Sequence, residues 1–316
     1  MRRIAGIAVL AGVCVAATMF AGVVVAGEQD ASGAAPLPKM EEVLTMRVEG
    51  DIAVDATGKV IGYTLGTKLD GKQQSLNDQA VPHWVFFPPM VEGKPSAAKS
   101  HMRITLLGKK IPEGYDVRIE NVLFADTDTR DWDVPKEEKK AANTAETDGA
   151  TLSIASATPR VRYPKYYVNG IVTIMLNIAP DGRVLDATPT QCSLYFAGGS
   201  STQLARACRE MEQSAANAIK QWRVAIDTHG KPLEDKPLSA TLPLAYKMRG
   251  RSAQAVAESS EPGQWRMESR TPYRTPEWLP DRRFAQRVGT SDAVGGELVP
   301  SDATLQLRDG QLGVAL

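Results

Sequence analysis

The chain has 316 residues, with 37 basic and 37 acidic side chains, 43% hydrophobic residues and 6% aromatic residues. A chain of this length is expected to form about two domains with ordinary hydrophobic cores. A formal net charge of zero offers no electrostatic attraction to a nucleic acid, so DNA- and RNA-binding functions are disfavoured. Only three cysteines and three histidines are present, and we expect no metal site and no cofactor.

The first 26 residues have the composition of an export signal. Arg2 and Arg3 precede an uncharged stretch, residues 4–26, which ends in small residues suited to a signal peptidase. The stretch is also long enough to cross a bilayer as an uncleaved anchor. We therefore expect residues 1–26 to be either a signal peptide or a membrane anchor, with the rest of the chain outside the cytoplasm.

Export changes the interpretation of the cysteines. Beyond the signal segment the chain retains one pair, Cys192 and Cys208. In an oxidising compartment such a pair favours a structural disulfide over two free thiols. A redox function is the weaker alternative, because the spacing is unlike Cys-x-x-Cys.

An alternating pattern opens the first of two similar stretches. Strand-like alternation from Thr45 is followed by a turn at residues 55–58 and a second strand at residues 60–65. Trp84 and a Gly-Lys-Pro turn at residues 93–95 come next, before a closing strand. The apolar face of the closing strand contains Met102, Ile104 and Leu106.

The same order recurs about a hundred residues later. A strand with Val172 and Ile174 on its apolar face leads through a Pro-Asp-Gly turn at residues 180–182 into a partner strand. An amphipathic helix is predicted between Ser200 and Trp222, and Ser200 and Gln203 have the spacing of a capping box. A second Gly-Lys-Pro turn and a last strand complete the copy. The alternative is that two unrelated units share turn residues by chance.

Several short motifs of the second copy follow one another in a fixed order. They are Tyr163-Pro164, Gly170-Ile171-Val172, Pro180-Asp181-Gly182-Arg183-Val184, Ala218-Ile219-Lys220-Gln221-Trp222-Arg223, Gly230-Lys231-Pro232 and Leu242-Pro243-Leu244. This ordered set resembles the C-terminal domain of TonB-family proteins over residues 160–248. Residues 45–107 resemble the same domain more faintly. The cysteines also fit a TonB-like subgroup, in which one follows the second strand and the other lies in the helix.

The resemblance implies an α+β fold. We expect two small ββαβ modules, each an antiparallel sheet with a helix packed on one face. The first would be a degenerate module at residues 45–125, and the second a TonB C-terminal-like domain at residues 159–248. The polar residues 126–158 between them are expected to form a disordered linker.

Residues 249–316 form a tail that we expect to be of low complexity and mostly disordered, because prolines interrupt any regular element and charges are frequent. Aromatic residues alternate with arginines in part of it. They indicate either a strip that docks a partner or the cell wall, or a loosely packed tail with incidental aromatics. These aromatics are Trp265, Tyr273, Trp278 and Phe284.

In TonB itself this domain binds outer-membrane receptors, whose N-terminal box adds as a strand to the sheet edge. The resemblance implies a periplasmic protein with protein partners, among them TonB-dependent outer-membrane receptors. The candidate binding edge is residues 239–248, where Pro243 marks either an exposed edge or one protected from unwanted pairing. The predicted partner-binding residues of this strand are Ala240, Leu242, Leu244 and Tyr246.

Two departures argue against energy transduction. A transducer carries a Ser and a His at helical spacing in its inner-membrane anchor, and residues 4–26 contain neither residue. It also needs a long Pro-rich spacer, whereas only residues 27–41 precede the first copy. We therefore expect an accessory protein that binds partners by strand addition. The alternative is an envelope scaffolding protein that uses its modules for self-association as a homodimer.

No motif for catalysis accompanies these features. The sequence lacks a Gly-x-Ser-x-Gly elbow, a His-Glu-x-x-His motif and a Gly-rich phosphate loop. His83, His101 and His229 share no ligand spacing. We therefore expect a protein that is not an enzyme and has no catalytic residues.

Overall fold

A computed structural model describes residues 36–91, 94–126, 144–147, 150–165, 168–195, 198–228, 237–247, 261–279, 287–292, 298–301, 305–308 and 312. The predicted signal segment and the second Gly-Lys-Pro turn lie outside these ranges. The described residues from Leu37 onwards belong to one compact unit.

The helices and strands follow the chain in this order. The strands are β1 (Glu41–Val54), β2 (Val60–Leu65), β3 (Met90–Val91), β4 (Lys94–Pro95), β5 (Ala98–Ile111), β6 (Gly114–Asp126), β7 (Thr144–Thr147), β8 (Ala150–Ser156), β9 (Asn169–Ile178), β10 (Val184–Tyr195), β11 (Arg223–Asp227), β12 (Leu238–Tyr246), β13 (Arg266–Arg270) and β14 (Val299–Pro300). The helices are α1 (Gly71–Ala80) and α2 (Ser201–Ile219), and a short 3-10 helix covers Val81–His83.

The repeated turns have the same local geometry in both halves of the chain. Gly58 and Gly182 have φ angles of 89° and 80°, which favour glycine over residues with a Cβ atom. A Cβ atom on Gly58 would lie 2.1 Å from the Phe86 carbonyl oxygen, and one on Gly182 would lie 2.1 Å from the Val224 carbonyl oxygen. Each turn glycine therefore leaves room for a main-chain carbonyl group to approach the turn. In both halves that carbonyl belongs to the residue two positions after a tryptophan.

Both helices begin with a capping box. Ser200 accepts a hydrogen bond from the Gln203 amide, and the Gln203 side chain accepts one from the Ser200 amide, as the sequence predicts. Asp70 and Gln73 make the same reciprocal pair at the start of α1. The helix predicted in the second copy is confirmed, and it ends at Ile219.

One nine-stranded sheet takes the place of the two separate sheets that the resemblance implies. Its order is β14-β12-β9-β10-β13-β1-β5-β6, and β2 also pairs with β1. Every pairing is antiparallel. The expected α+β fold of two ββαβ modules is wrong, because β13 pairs with strands from both halves and makes one predominantly β structure.

The expectation of a disordered linker and tail is also wrong for the residues that the structure describes. Within residues 126–158, β8 pairs with β7 and β11 in a three-stranded sheet. Leu152 of β8 is fully buried in the core that contains α2, which explains why β8 is ordered within this polar segment. The tail supplies β13, in the middle of the large sheet, and β14 at its end.

Both helices lie on the same face of the sheet. Leu76 and Trp84 pack against Met46 and Val48 of β1, and α2 packs against the second half through residues such as Leu204, Cys208, Met211 and Ile219. Leu44 pairs with Met267, and Leu194 pairs with Ser269, so the side chains of these pairs lie on one face of the sheet. The face that α1 covers in the first half therefore continues across β13 to the face that α2 covers in the second half.

The opposite face of the sheet is polar and concave. Leu123 of β6 packs with Val288 and with Val299 of β14, although β6 and β14 stand at opposite ends of the strand order. The sheet must therefore curve so that its two ends approach each other. Residues 287–292 of the tail lie on this concave face.

Candidate functional site

The side chains of the predicted partner-binding strand point into the core. Ala240, Leu242 and Tyr246 are buried beneath α2, and Leu244 packs against the same cluster. The Tyr246 hydroxyl donates a hydrogen bond to the Met211 carbonyl oxygen at 2.9 Å. A partner on this strand would therefore have to bind its main chain rather than these side chains.

The outer edge of β12 is covered over only part of its length by described residues. Ala240 and Thr241 pair with Pro300 and Val299 of β14, and the Ser301 amide donates to the Ser239 carbonyl oxygen at 3.2 Å. Main-chain groups alternate in direction along a strand. Those of Thr241, Pro243 and Ala245 therefore point outward like those of Ser239.

Pro243 fits this arrangement. Its missing N–H group lies on the outer edge, so it removes no hydrogen bond to β9. Among the described residues, β12 has no strand partner on this edge beyond Thr241. The main chain of Pro243 to Tyr246 is therefore where an added strand would bind.

Cys192 and Cys208 form the disulfide that the sequence predicts, with their Cα atoms 5.8 Å apart. It joins β10 to α2 within the core. The main chain of Cys192 also holds the tail: its amide donates to the Thr271 hydroxyl at 3.0 Å, and its carbonyl accepts from the Thr271 amide at 2.8 Å. The disulfide therefore lies directly beside the point where the tail leaves β13.

A buried carboxylate, Glu268, lies at the centre of the concave face. Thr45 and Ser193 donate hydrogen bonds to it at 2.5 and 2.8 Å. Ser291 donates at 3.0 Å, and the Arg266 guanidinium pairs with it at 2.6 Å. We call these five residues the Glu268 cluster. It joins β1 of the first half, β10 of the second half, β13 and residues 287–292 of the tail, which we call the covering segment.

The charges of this cluster compensate each other out of contact with solvent. Glu268 is 0% exposed, and burial alone would raise its pKa. The Arg266 guanidinium and the hydrogen bonds from Thr45 and Ser193 outweigh burial and hold the pKa of Glu268 below its usual value. Burial alone would lower the pKa of Arg266. Tyr195 and Glu268 favour its charged form more strongly, so the pKa of Arg266 is raised.

A second arginine of β13 completes the pattern. Arg270 donates to both carboxylate oxygens of Glu120, at 2.6 and 2.8 Å, and to Glu41 at 2.9 Å. Bidentate pairs of this kind are among the strong, geometrically specific hydrogen bonds. The alternating side chains Arg266, Glu268 and Arg270 therefore all face the concave side and all have charged partners.

Asp292 holds the covering segment on the sheet. It accepts hydrogen bonds from the Thr105 hydroxyl, from the Asn121 side-chain amide at 2.8 Å and from the Gly289 main-chain amide at 2.7 Å. Arg103 donates to the Asp292 carbonyl oxygen at 2.9 Å. Burial nevertheless raises the pKa of Asp292, because these hydrogen bonds compensate its charge only in part.

We expect Asp292→Asn to be no less stable than the native chain at pH 7. A raised folded-state pKa means that Asp292 favours folding below its ordinary pKa of about 3.9 and that this contribution is lost as the pH rises through the folded-state value. Asparagine removes the poorly compensated charge and can donate to Thr105 in place of accepting from it. Urea unfolding at pH 4 and pH 7 measures the free energy of unfolding of both proteins. Relative to the native chain, the variant should be more stable at pH 7 than at pH 4.

Asp292→Ala is the matched control for this substitution, because alanine removes the charge and the hydrogen bonds together. It should destabilise the protein at both pH values, since Asn121 and Gly289 lose their buried acceptor. A loss of stability in Asp292→Asn as large as that in Asp292→Ala at pH 7 would contradict the assigned cost of the charge.

The aromatic residues of the tail contact the body of the protein. Trp265 lies against Gly108, and the Trp278 indole donates to Thr188 at 2.9 Å. The Tyr273 ring lies 4.5 Å from the guanidinium of Arg287, which also belongs to the tail. Phe284 lies outside the described residues. In the described part of the tail, Trp265 and Trp278 are therefore packed against the protein, unlike the aromatics of a loosely packed tail; the docking strip stays a prediction.

The other predicted features of the site are placed as follows. His101 contacts Asp51 at 3.2 Å, and burial lowers the pKa of His101; His83 lies in the 3-10 helix, and His229 is outside the described residues. No metal-binding group of three or more His, Cys, Asp or Glu occurs in the described part of the chain. No helix among the described residues is long and apolar enough to span a membrane.

The sequence did not identify the Glu268 cluster. Its signal is the alternation Arg266-Met267-Glu268-Ser269-Arg270, which has the period of a strand. Charged residues at this spacing are usually exposed, so the pattern alone does not predict burial.

No family model matches the chain, and neither the curated proteins nor the solved structures provide a match.

Proposed function

We propose that the protein is a periplasmic, TonB-like protein that binds partner proteins by strand addition and is accessory to TonB-dependent outer-membrane transport. The partner strand would add to the outer edge of β12. The predicted export signal supports the location, and the ordered TonB-like motifs support the class of partner. The disulfide between Cys192 and Cys208 is compatible with an oxidising compartment.

One observation carries this proposal: the sheet already binds an extended segment at the same edge. Val299 and Pro300 of the tail add to β12 at Ala240 and Thr241. They leave the outward main chain of Pro243 and Ala245 without a strand partner among the described residues. Main-chain hydrogen bonds would supply the affinity of an added strand.

The test uses a synthetic, fluorescently labelled peptide with the sequence of the N-terminal box of a TonB-dependent receptor. Its binding to the full chain is measured by fluorescence anisotropy. We expect Ala245→Pro to weaken binding at least tenfold, because it removes an outward N–H group without removing a hydrogen bond to β9. Ala245→Ser keeps the N–H group and should bind as the native chain does.

The native chain and both variants should first show the same circular-dichroism spectrum. Absence of peptide binding to the native chain would contradict the transport function. Equal affinity of Ala245→Pro and Ala245→Ser would contradict binding at this edge.

A further inference from the structure

The last strand of the large sheet, β6, has an open outer edge. In the part of the chain that the structure describes, β6 pairs with β5 and with no other strand. The tail covers this strand near its end, where the Asn121 side chain donates to the Arg287 carbonyl oxygen. No described residue pairs with the outer main chain of the first part of the strand. We call this part, Gly114–Ile119, the β6 edge.

The hairpin between β5 and β6 determines which main-chain groups of the β6 edge point outward. Ile111 and Gly114 are directly paired across a two-residue turn, and such a turn is closed by a hydrogen-bonded pair. Hydrogen-bonded and non-hydrogen-bonded pairs alternate along antiparallel strands. Every second residue from Gly114 therefore bonds to β5, and the residues between them direct their N–H and C=O groups outward. The outward residues are Tyr115, Val117 and Ile119.

The two charged residues of the β6 edge have opposite signs and share the concave face. Arg118 donates to the Asp116 carboxylate, and the two side chains are 34% and 23% exposed. The Nε atom of Arg118 is buried and has no hydrogen-bond partner among the described residues. A buried donor without a partner costs free energy. This edge therefore has an unsatisfied side-chain donor as well as unpaired main-chain groups.

A second copy of the β6 edge, related by a two-fold axis through Val117, matches these features. Val117 then lies opposite Val117 of the second copy, Tyr115 opposite Ile119, and Asp116 opposite Arg118. The outward residues become the hydrogen-bonded pairs. Asp116 and Arg118 become the intervening pairs, in which side chains lie closer together. Opposite charges that face each other across two strands are stabilising.

The charges favour this register over its two neighbours. An axis through Asp116 would place two carboxylates opposite each other, and an axis through Arg118 would place two guanidinium groups opposite each other. Like charges directly opposite are destabilising. With the axis through Val117, the next charged residue, Glu120, lies opposite Gly114 and meets no like charge. The β6 edge is therefore complementary to itself in one of the three registers.

We propose that two copies of this chain form a dimer by antiparallel pairing of their β6 edges about an axis through Val117. A two-fold dimer uses the same patch on both subunits and requires a self-complementary surface. An unpaired strand edge is otherwise a template for uncontrolled association. The dimer does not rest on peptide binding at β12, because it uses a different strand edge.

The first experiment is sedimentation velocity of the native full chain over a range of concentrations, where the dimer fraction should rise with concentration. We expect Val117→Pro to raise the dissociation constant at least about tenfold, because it removes an outward N–H group and no hydrogen bond to β5. Val117→Thr is the matched control. It keeps the N–H group and nearly the same shape, so it should dimerise as the native chain does.

The second experiment exchanges the charges of the β6 edge. Asp116→Lys and Arg118→Glu each place like charges opposite each other in a dimer of identical chains. Each variant alone should therefore remain monomeric at concentrations where the native chain dimerises. In an equal mixture, the introduced lysine faces the introduced glutamate, and the native Arg118 faces the native Asp116. Native mass spectrometry should then detect the mixed dimer by its mass.

A native chain that stays monomeric over the whole concentration range would overturn the proposal, whatever the variants do. Dimerisation of Val117→Pro as strong as that of the native chain, with the same circular-dichroism spectrum, would also overturn it. So would Asp116→Lys and Arg118→Glu variants that dimerise alone as the native chain does. Binding of the receptor peptide is measured separately, so failure of the dimer and failure of the proposed function are distinguishable.

Discussion

Replacement of Glu268 by glutamine is expected to lower the free energy of unfolding by about 3 to 5 kcal/mol. Glutamine has nearly the same size and can still bond to Thr45 and Ser193. It removes the charge that compensates Arg266, whose side chain is 5% exposed. The buried guanidinium is then left without its carboxylate, and the cost of removing it from water is no longer offset. Urea unfolding followed by circular dichroism measures the loss.

A double-mutant cycle separates the ion pair from the packing of the two side chains. Arg266→Met removes the guanidinium and keeps an unbranched apolar side chain beneath Tyr195. Glu268→Gln/Arg266→Met should be much less destabilised than the sum of the two single variants, because no uncompensated charge remains. The assigned pairing would be contradicted if the losses of stability in the two single variants added up to the loss in the double variant. Native stability of the single Glu268→Gln variant would contradict it as well.

The pH dependence provides an independent check on the same residue. The pKa of Glu268 is lowered in the folded protein, so its contribution to stability is present above its ordinary pKa of about 4.3. That contribution is lost as the pH falls through the lowered folded-state pKa. The difference in stability between the native chain and Glu268→Gln should therefore shrink at acidic pH.

Local patterns predicted the elements whose stability depends on local signals. The turn glycines Gly58 and Gly182 and the helix with its Ser200–Gln203 capping box are where the sequence places them. Capping and turn geometry depend on residues within a few positions of each other. These features could therefore be identified without knowledge of the fold.

The position of the tail could not be predicted in the same way. Three charged side chains of β13 are buried because residues far away in the chain provide their partners. Examples of these partners are Thr45, Glu120 and Ser193. The buried side chains are Arg266, Glu268 and Arg270. In isolation an arginine-rich, proline-flanked segment has the composition of a disordered tail. The expected separate modules failed for the same reason, since β13 is what makes their strands one sheet.

The candidate binding edge of β12 depends both on local sequence patterns and on residues that are distant in the chain. Alternation identified the strand that contains Ala240 and Tyr246, and Pro243 indicated which edge faces outward. The partial covering of this edge by Val299 and Pro300 depends on a segment more than fifty residues further along the chain. The sequence therefore indicated the strand, whereas the fold indicates which part of its edge an added strand would use.

Loss of the disulfide between Cys192 and Cys208 is expected to destabilise the protein by about 3 kcal/mol. The two cysteines are 16 positions apart, and the bond limits the freedom of the unfolded chain between β10 and α2. Both cysteines are 0% exposed, so reductant should act on the unfolded protein and hardly at all on the folded one. Urea unfolding of oxidised protein and of protein reduced in denaturant measures the difference.

Cys192→Ala/Cys208→Ala separates the bond from the packing of the sulfur atoms. The reduced native chain keeps both sulfur atoms in the core, whereas the alanine variant also loses their contacts and should be less stable again. Because the Cys192 main chain bonds to Thr271, local loosening of β10 should also speed amide exchange at Thr271 more than at residues of β5. Equal stability of the oxidised and reduced chains would show that the bond does not constrain the unfolded state in the expected way.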